Sequence, residues 1–171
     1  MNERIEDAPQ RWVVMGVSGC GKSSVGIALA EALGARFVEG DRYHSAANVA
    51  KMAAGTPLTD DDRAEWLLSL QAEIRAAVMA GVGIVVSCSA LKRRYRDLLR
   101  AGDAGLRFAH LDGSRALIAE RMAARQGHYM PLSLLDSQLA TLEPLQADEA
   151  GLRLAIEQDV PVLVQAILAR R

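Results

Sequence analysis

A chain of 171 residues, half of them hydrophobic and with a formal charge of −1, has the size and apolar content for one domain with its own core. That content excludes a disordered chain, and the near-neutral charge argues against electrostatic nucleic-acid binding as the main activity. No apolar run approaches the roughly 20 residues that a membrane span requires, so neither a nucleic acid nor a membrane is an expected partner.

Taken in chain order, residues 1–10 are polar, carry Glu3, Glu6 and Asp7, and read as a loose terminus rather than a secretion signal. Residues 12–15 (WVVM) form a short apolar strand, and GVSGCGKS follows at 16–23. That string fits G-x-x-x-x-G-K-[ST], the phosphate-binding loop of P-loop NTPases. Its glycines let successive backbone N–H groups point at phosphate oxygens. Lys22 is placed to reach the β- and γ-phosphates, and the Ser23 hydroxyl to hold Mg²⁺. Val25, Ala28, Leu29, Ala32 and Leu33 then recur at helical spacing, and the N-terminus of that helix adds partial positive charge to an anion site. Gly16, Ser18, Gly19, Cys20, Gly21, Lys22, Ser23 and Ser24 are therefore the expected nucleotide-binding residues.

Further strands are expected at 36–39, 83–88, 106–111 and, more weakly, 153–156. A long helical region marked by Leu67, Leu70, Ile74, Ala77 and Val78 lies between the second and third. A last helix carries Val160, Leu163, Val164, Ile167 and Leu168, with Pro161 in its first turn, where proline is tolerated. Alternating strands and helices predict an α/β fold: a parallel five-stranded sheet flanked by helices. No repeat, low-complexity segment or linker interrupts it, so residues 1–171 are expected to form a single domain. Cys20 and Cys88 lack metal-ligand spacing and fit a reduced, cytoplasmic setting.

Ligands of open α/β sheets bind beyond the carboxyl ends of the strands. Glu39 and Asp41 follow the second strand. One of them can support hydrated Mg²⁺ and the other can orient an attacking hydroxyl; the alternative is a turn with solvated acids. Many P-loop proteins carry an Asp for Mg²⁺ at the end of the third strand, but this chain has Ser87-Cys88-Ser89 there. Metal support must then come from Ser23, water and the carboxylates after the second strand.

The strings GVSGCGKSS, EGDRYH-x₃-N-x₂-KM-x₂-G-x-PL-x-DDDR-x₂-W-L, SCSALKRRYRDLLR, RMAARQGHYM and SQLATLEPL resemble the gluconokinase family, the small P-loop type related to shikimate and adenylate kinases. The resemblance runs from about residue 13 to 167, and its middle strings are more specific than the P-loop. It implies transfer of the γ-phosphoryl group of ATP to the 6-hydroxyl of D-gluconate, with Mg²⁺. It makes Lys22, Asp41 and Arg125 the catalytic residues, with Asp41 beside the reacting hydroxyl. His44 is implied to bond a sugar hydroxyl, or else is an exposed loop histidine. Arg63, at the end of DDDR, suits bidentate capture of a carboxylate; otherwise it forms an ion pair at a helix start. Asp60, Asp61 and Asp62 are expected to cap and charge that helix, and Trp66 to lie in the core. Lys92 and Arg96, four apart, either hold the sugar acid or form a solvated face.

Arg121 and Arg125 precede a turn-forming break at 126–131 that includes His128. In related kinases this region, about 121–135 here, is a lid over ATP. The resemblance places Arg121 at the nucleotide and His128 at the acceptor; the alternative is a basic surface helix. The family usually has Asp at position 39, where this chain has Glu39. Monomer and homodimer both remain open. A kinase of another small acceptor such as shikimate is the nearest rival, although the DDDR and SCSALK strings differ from that family. A nucleotide-binding protein without catalysis is the other, and the intact Lys22, Ser23 and Asp41 speak against it.

Overall fold

Short strands that are apolar on both faces can only be satisfied by layers of helix above and below, and the computed structural model has that arrangement. It describes residues 8–125 and 131–170. Strands β1 (Arg11–Met15), β2 (Arg36–Glu39), β3 (Ile84–Ser87), β4 (Arg107–Asp112) and β5 (Gly151–Ala155) form one sheet in the order β2-β3-β1-β4-β5. All neighbouring pairs are parallel. The helices are α1 (Lys22–Leu33), α2 (Ala46–Ala53), α3 (Asp60–Ala80), α4 (Arg93–Arg100), α5 (Arg115–Ala124), α6 (Leu132–Thr141) and α7 (Val160–Leu168). A single 3₁₀ turn, Gly40–Tyr43, follows β2.

The central strands carry the expected burial. Every residue of β3 is buried, as are Trp12, Val13, Val14 and Met15 of β1. Helix α3 buries Trp66, Leu67, Leu70, Ile74 and Ala77, most of the stripe its spacing predicts, but Val78 at the C-terminal end of that stripe is exposed, because the last turn of the helix runs past the covered face. Helix α7 buries Leu163, Val164 and Ile167, with its proline in the first turn as expected. The fifth strand starts two residues before the expected 153. It is an edge strand that buries little besides Leu154, so its apolar signal is weak. At the other end of the chain, Gln10 does not belong to a loose terminus: its carbonyl accepts a hydrogen bond from the Ile84 N–H at 3.1 Å.

Helix α3 is capped differently from the expectation. Thr59, not an aspartate, is its N-cap, and Asp62 completes a capping box by accepting the Thr59 N–H. That leaves Asp60 available for a contact outside the helix. Among the described residues no helix is long and apolar enough to cross a membrane.

The strand order reverses at β1, which has β3 on one side and β4 on the other. A crevice opens beyond the carboxyl end of β1 at such a switch point. The phosphate-loop sequence lies in that crevice, between β1 and α1.

Candidate active site

The phosphate loop is shaped by its own sequence. Gly21 caps α1 with φ 94°, a left-handed conformation that a side chain would strain. Lys22 and Ser23 then open the helix. The Lys22 ammonium donates back to the Val17 carbonyl at 2.9 Å, which keeps it folded over the loop. The Ser18 N–H donates to Gln138 Oε1 at 2.8 Å, and Gln138 Nε2 donates to Ser18 Oγ at 3.2 Å. Gln138 comes from α6 and is buried. Apart from its place within SQLATLEPL, nothing in the sequence marks Gln138 as a site residue. Gly16, Gly19 and Cys20 complete the loop, with Cys20 buried, and Ser24 lies exposed on the first turn of α1.

Glu39 meets Ser23. The Ser23 hydroxyl donates to Glu39 Oε2 at 2.5 Å, and the Ser87 hydroxyl donates to Glu39 Oε1 at 2.5 Å. The carboxylate expected after the second strand therefore reaches the loop serine, and its longer side chain spans the gap. Among the described residues no cluster of three or more His, Cys, Asp or Glu side chains is placed to hold a metal. One hydroxyl and one carboxylate nevertheless fit Mg²⁺, which keeps several waters and takes its remaining ligands from phosphates. Ser87 was not among the expected site residues.

Asp41 stands on the turn after β2 and is exposed. Two contacts fix its pedestal. The Trp66 indole N–H donates to the Gly40 carbonyl at 2.8 Å. Gly40 itself packs so tightly on β3 that a Cβ there would lie 2.1 Å from the Ser87 carbonyl oxygen. Trp66 is in the core, as expected, but it also carries His44, whose ring stacks on it at 4.0 Å and 20°. Burial lowers the His44 pKa below its ordinary value; Asp41 opposes this and Arg63 adds to it. The imidazole is therefore neutral at pH 7, with Nδ1 3.4 Å from the Asn48 amide nitrogen. His44 is therefore half-buried against Trp66 rather than an exposed loop histidine.

Arg63 is almost fully buried. It donates to the Tyr95 hydroxyl at 2.9 Å and lies 5.3 Å from the centre of that ring. The Tyr95 hydroxyl in turn donates to Asp60. Asp60 also pairs with Lys92 at 3.1 Å and Arg94 at 2.9 Å. The Tyr95 hydroxyl first, then Lys92, hold the Asp60 carboxyl below its usual range. Asp41, Lys22 and Arg63 all act on the Cys88 thiol just past β3, which burial pushes up to about 12.

Arg96 departs from both expectations for it, an acceptor ligand or a solvated face. Lys92 and Arg96 do not share a face, because Lys92 is the N-cap of α4 and Arg96 points into the interior. Its side chain is fully buried and donates to Glu149 at 2.7 and 3.0 Å, and to the carbonyls of Ala90, Leu91 and Pro144. With its donors used internally, it is a structural residue and not a ligand of the acceptor. The i, i+4 spacing misplaced the pair, because it shows neither the helix start at Lys92 nor Glu149, which lies far along the chain.

Arg121, in the last turn of α5, donates to the Ile156 carbonyl at 2.6 Å, and Arg125 is the exposed C-cap of the same helix. Arg115 and Asp136 pair at 2.5 Å and join α5 to α6. His128 and the expected lid tip at 126–130 lie outside the described residues.

A family model described as an AAA domain matches residues 12–145. A gluconokinase of Gluconobacter oxydans is 49% identical over 160 residues, covering 94% of this chain and 90% of the relative. Among solved structures, a sugar kinase from a Janibacter species superposes with a TM-score of 0.90 at 48% identity, over 94% of this chain and 93% of that one. A gluconokinase from Sinorhizobium meliloti superposes with a TM-score of 0.86 at 48% identity, over 95% and 91%.

Proposed function

The chain belongs to the gluconokinase family, and from that premise we propose how its residues divide the transfer of the γ-phosphoryl group of ATP to the 6-hydroxyl of D-gluconate. The observation that carries the reading is that Lys22 opens α1 on the phosphate loop after β1, Asp41 stands on the turn after β2, and that turn is bonded through Gly40 to Trp66, next to the buried Arg63 along α3. A phosphate-binding cation, a hydroxyl-orienting carboxylate and a carboxylate-binding guanidinium are what this acceptor and this donor require together.

Loop amides and Lys22 hold the phosphates. Lys22 reaches them by exchanging the Val17 carbonyl for a phosphate oxygen, a swap between two acceptors that costs little. Ser23 with Glu39 would hold Mg²⁺, which would supply neutralisation of the charge that develops on the transferring phosphoryl group. Asp41 orients the acceptor hydroxyl and takes its proton as the new bond forms. Because the transition state is loose, placement and charge outweigh base strength. Arg63 faces the gluconate carboxylate, and Lys92 reaches the same side from the N-cap of α4. His44, neutral and held flat on Trp66, bonds a sugar hydroxyl. Arg121 and Arg125 approach the phosphates from the lid and help exclude water. Buried free cysteines at positions 20 and 88 support a reducing, cytoplasmic setting.

Lys22→Met is expected to lower kcat by on the order of 10²–10³, the usual loss when one transition-state donor is removed. Circular dichroism and melting temperature should move little, since among the described residues the ammonium contacts only the Val17 carbonyl and, at 4.0 Å, the Cys20 sulfur. Near-normal turnover by the folded variant would dissociate the loop from phosphate binding.

The acceptor assignment is tested by comparing kcat/KM for D-gluconate, glucose and shikimate with ATP and Mg²⁺. Gluconate should be preferred by about 10²-fold or more, because glucose leaves Arg63 without its anion and a site built for a polar partner rejects analogues that lack it. Shikimate keeps the carboxylate, but its ring cannot bring the reacting oxygen to Asp41 while the acid stays on Arg63. Comparable activity on either analogue, or phosphate found away from the terminal oxygen of gluconate, would overturn the assignment.

A further inference from the structure

We propose that Ser87 is a positioning residue for the metal-nucleotide complex, holding the Glu39 carboxylate against the Ser23 hydroxyl. The inference rests on the reading that Ser23 and Glu39 hold Mg²⁺.

Glu39 ends β2 and Ser87 ends β3, and the two are register partners in the parallel ladder. Partners in register point to the same face of the sheet, and Ser23 on the first turn of α1 covers that face. Glu39 is thus clamped from both sides, one carboxylate oxygen receiving the Ser87 hydroxyl and the other the Ser23 hydroxyl, each at 2.5 Å. The two clamps are not equivalent. Ser23 stands on the loop that must admit the nucleotide. Ser87 is 1% exposed and stands on β3, which also pairs with β1 through Val14. It is the fixed end of the arrangement.

A glutamate has one more rotatable bond than an aspartate and loses more rotamer freedom when held in one place. Glu39 sits on an edge strand and is only half-buried, so the backbone alone does not select its rotamer. The Ser87 hydroxyl does. With Glu39 held, the Ser23 hydroxyl proton stays directed at Oε2 and the serine lone pairs face the crevice, where a cation would take them. Outer-shell partners of this kind alter metal affinity by about 10–100-fold when removed. The carboxylate that many P-loop proteins carry at the end of the third strand is supplied here from the neighbouring strand, and the third strand keeps a hydroxyl to aim it.

The test uses Mn²⁺ as probe. Mn²⁺ binding to the full-length enzyme–ADP complex is titrated by electron paramagnetic resonance for the wild type, Ser87→Ala, Ser87→Cys, Ser87→Thr and Glu39→Gln. ADP affinity is measured in parallel with EDTA present. Ser87→Ala, and Ser87→Cys with its weak thiol donor, should weaken Mn²⁺ about tenfold or more, with metal-free ADP affinity and gluconate KM unchanged. Ser87→Thr should restore the wild-type value. Folding of each variant is read from its melting temperature, and Ser87→Cys stands in if Ser87→Ala does not fold. Wild-type Mn²⁺ affinity in either folded variant overturns the proposal, and so does an equal loss of metal-free ADP binding. Glu39→Gln separates the layers: if it leaves Mn²⁺ affinity intact, the metal-site reading itself fails, whereas a loss there with none in the Ser87 variants removes only the role of Ser87.

Discussion

Asp41→Asn should lower kcat for gluconate phosphorylation by roughly 10²–10⁴, the range of a positioned proton acceptor, while ATP affinity stays close to that of the wild type. Asparagine keeps the shape of the side chain and loses its charge and its capacity to take a proton. The pedestal under Asp41 does not depend on the carboxylate. Gly40 remains wedged under the Ser87 carbonyl and tied to the Trp66 indole, so the substituted side chain should occupy the same place. Nor does the effect run through His44. Asp41 raises the pKa of that imidazole against burial and Arg63, so its removal lowers an already depressed value and leaves the ring neutral at pH 7. Steady-state kinetics and equilibrium ATP binding on the same preparation decide the matter. Lost ATP affinity with preserved kcat would move Asp41 to the nucleotide side.

Arg96→Ala should cost about 3–5 kcal/mol of stability, the usual penalty for leaving a buried charge without its partner. The side chains of Arg96 and Glu149 are both fully buried, and Glu149 also receives the Arg100 guanidinium and the Gln146 N–H. Burial alone would push the Glu149 carboxyl up. The Arg96 bonds first, then the Gln146 N–H and Arg100, outweigh burial and hold it at about 2, below the ordinary 4.5. A folded-state pKa below the unfolded value gives stability that is present above pH 4.5 and lost as pH falls toward 2. The deficit of Arg96→Ala should therefore be greatest near neutrality and shrink on acidification through that window, as the wild type loses its own contribution. Denaturant melts of both proteins at pH 7 and below pH 4 measure this. A stable variant with selectively weakened gluconate binding would return Arg96 to the acceptor site.

The phosphate loop was legible in the sequence because its function is written in contiguous residues: glycines that fix the backbone, then the lysine and serine that use it. The central strands and the helices α1, α3 and α7 were legible for a related reason. Their periodicity records which face is buried, and burial needs only neighbours of the right polarity, not particular ones. The edge strand β5 was read less well because it buries so little. The contacts of Asp60, Lys92 and Arg96 were decided by tertiary structure. Lys92 and Arg96 are four residues apart, and spacing placed them together; the cap of α4 at Lys92 separates them, sending one to Asp60 and the other to Glu149. Asp60 reads as a helix cap until Thr59 takes that place and frees it for Tyr95 and Lys92. Gln138 on the phosphate loop and Ser87 on Glu39 had no sequence signal of their own. A polar side chain is specified by its partner, and these partners lie 120 and 48 residues away along the chain. Strand register and helix docking bring such pairs together, and one-dimensional spacing carries no record of either.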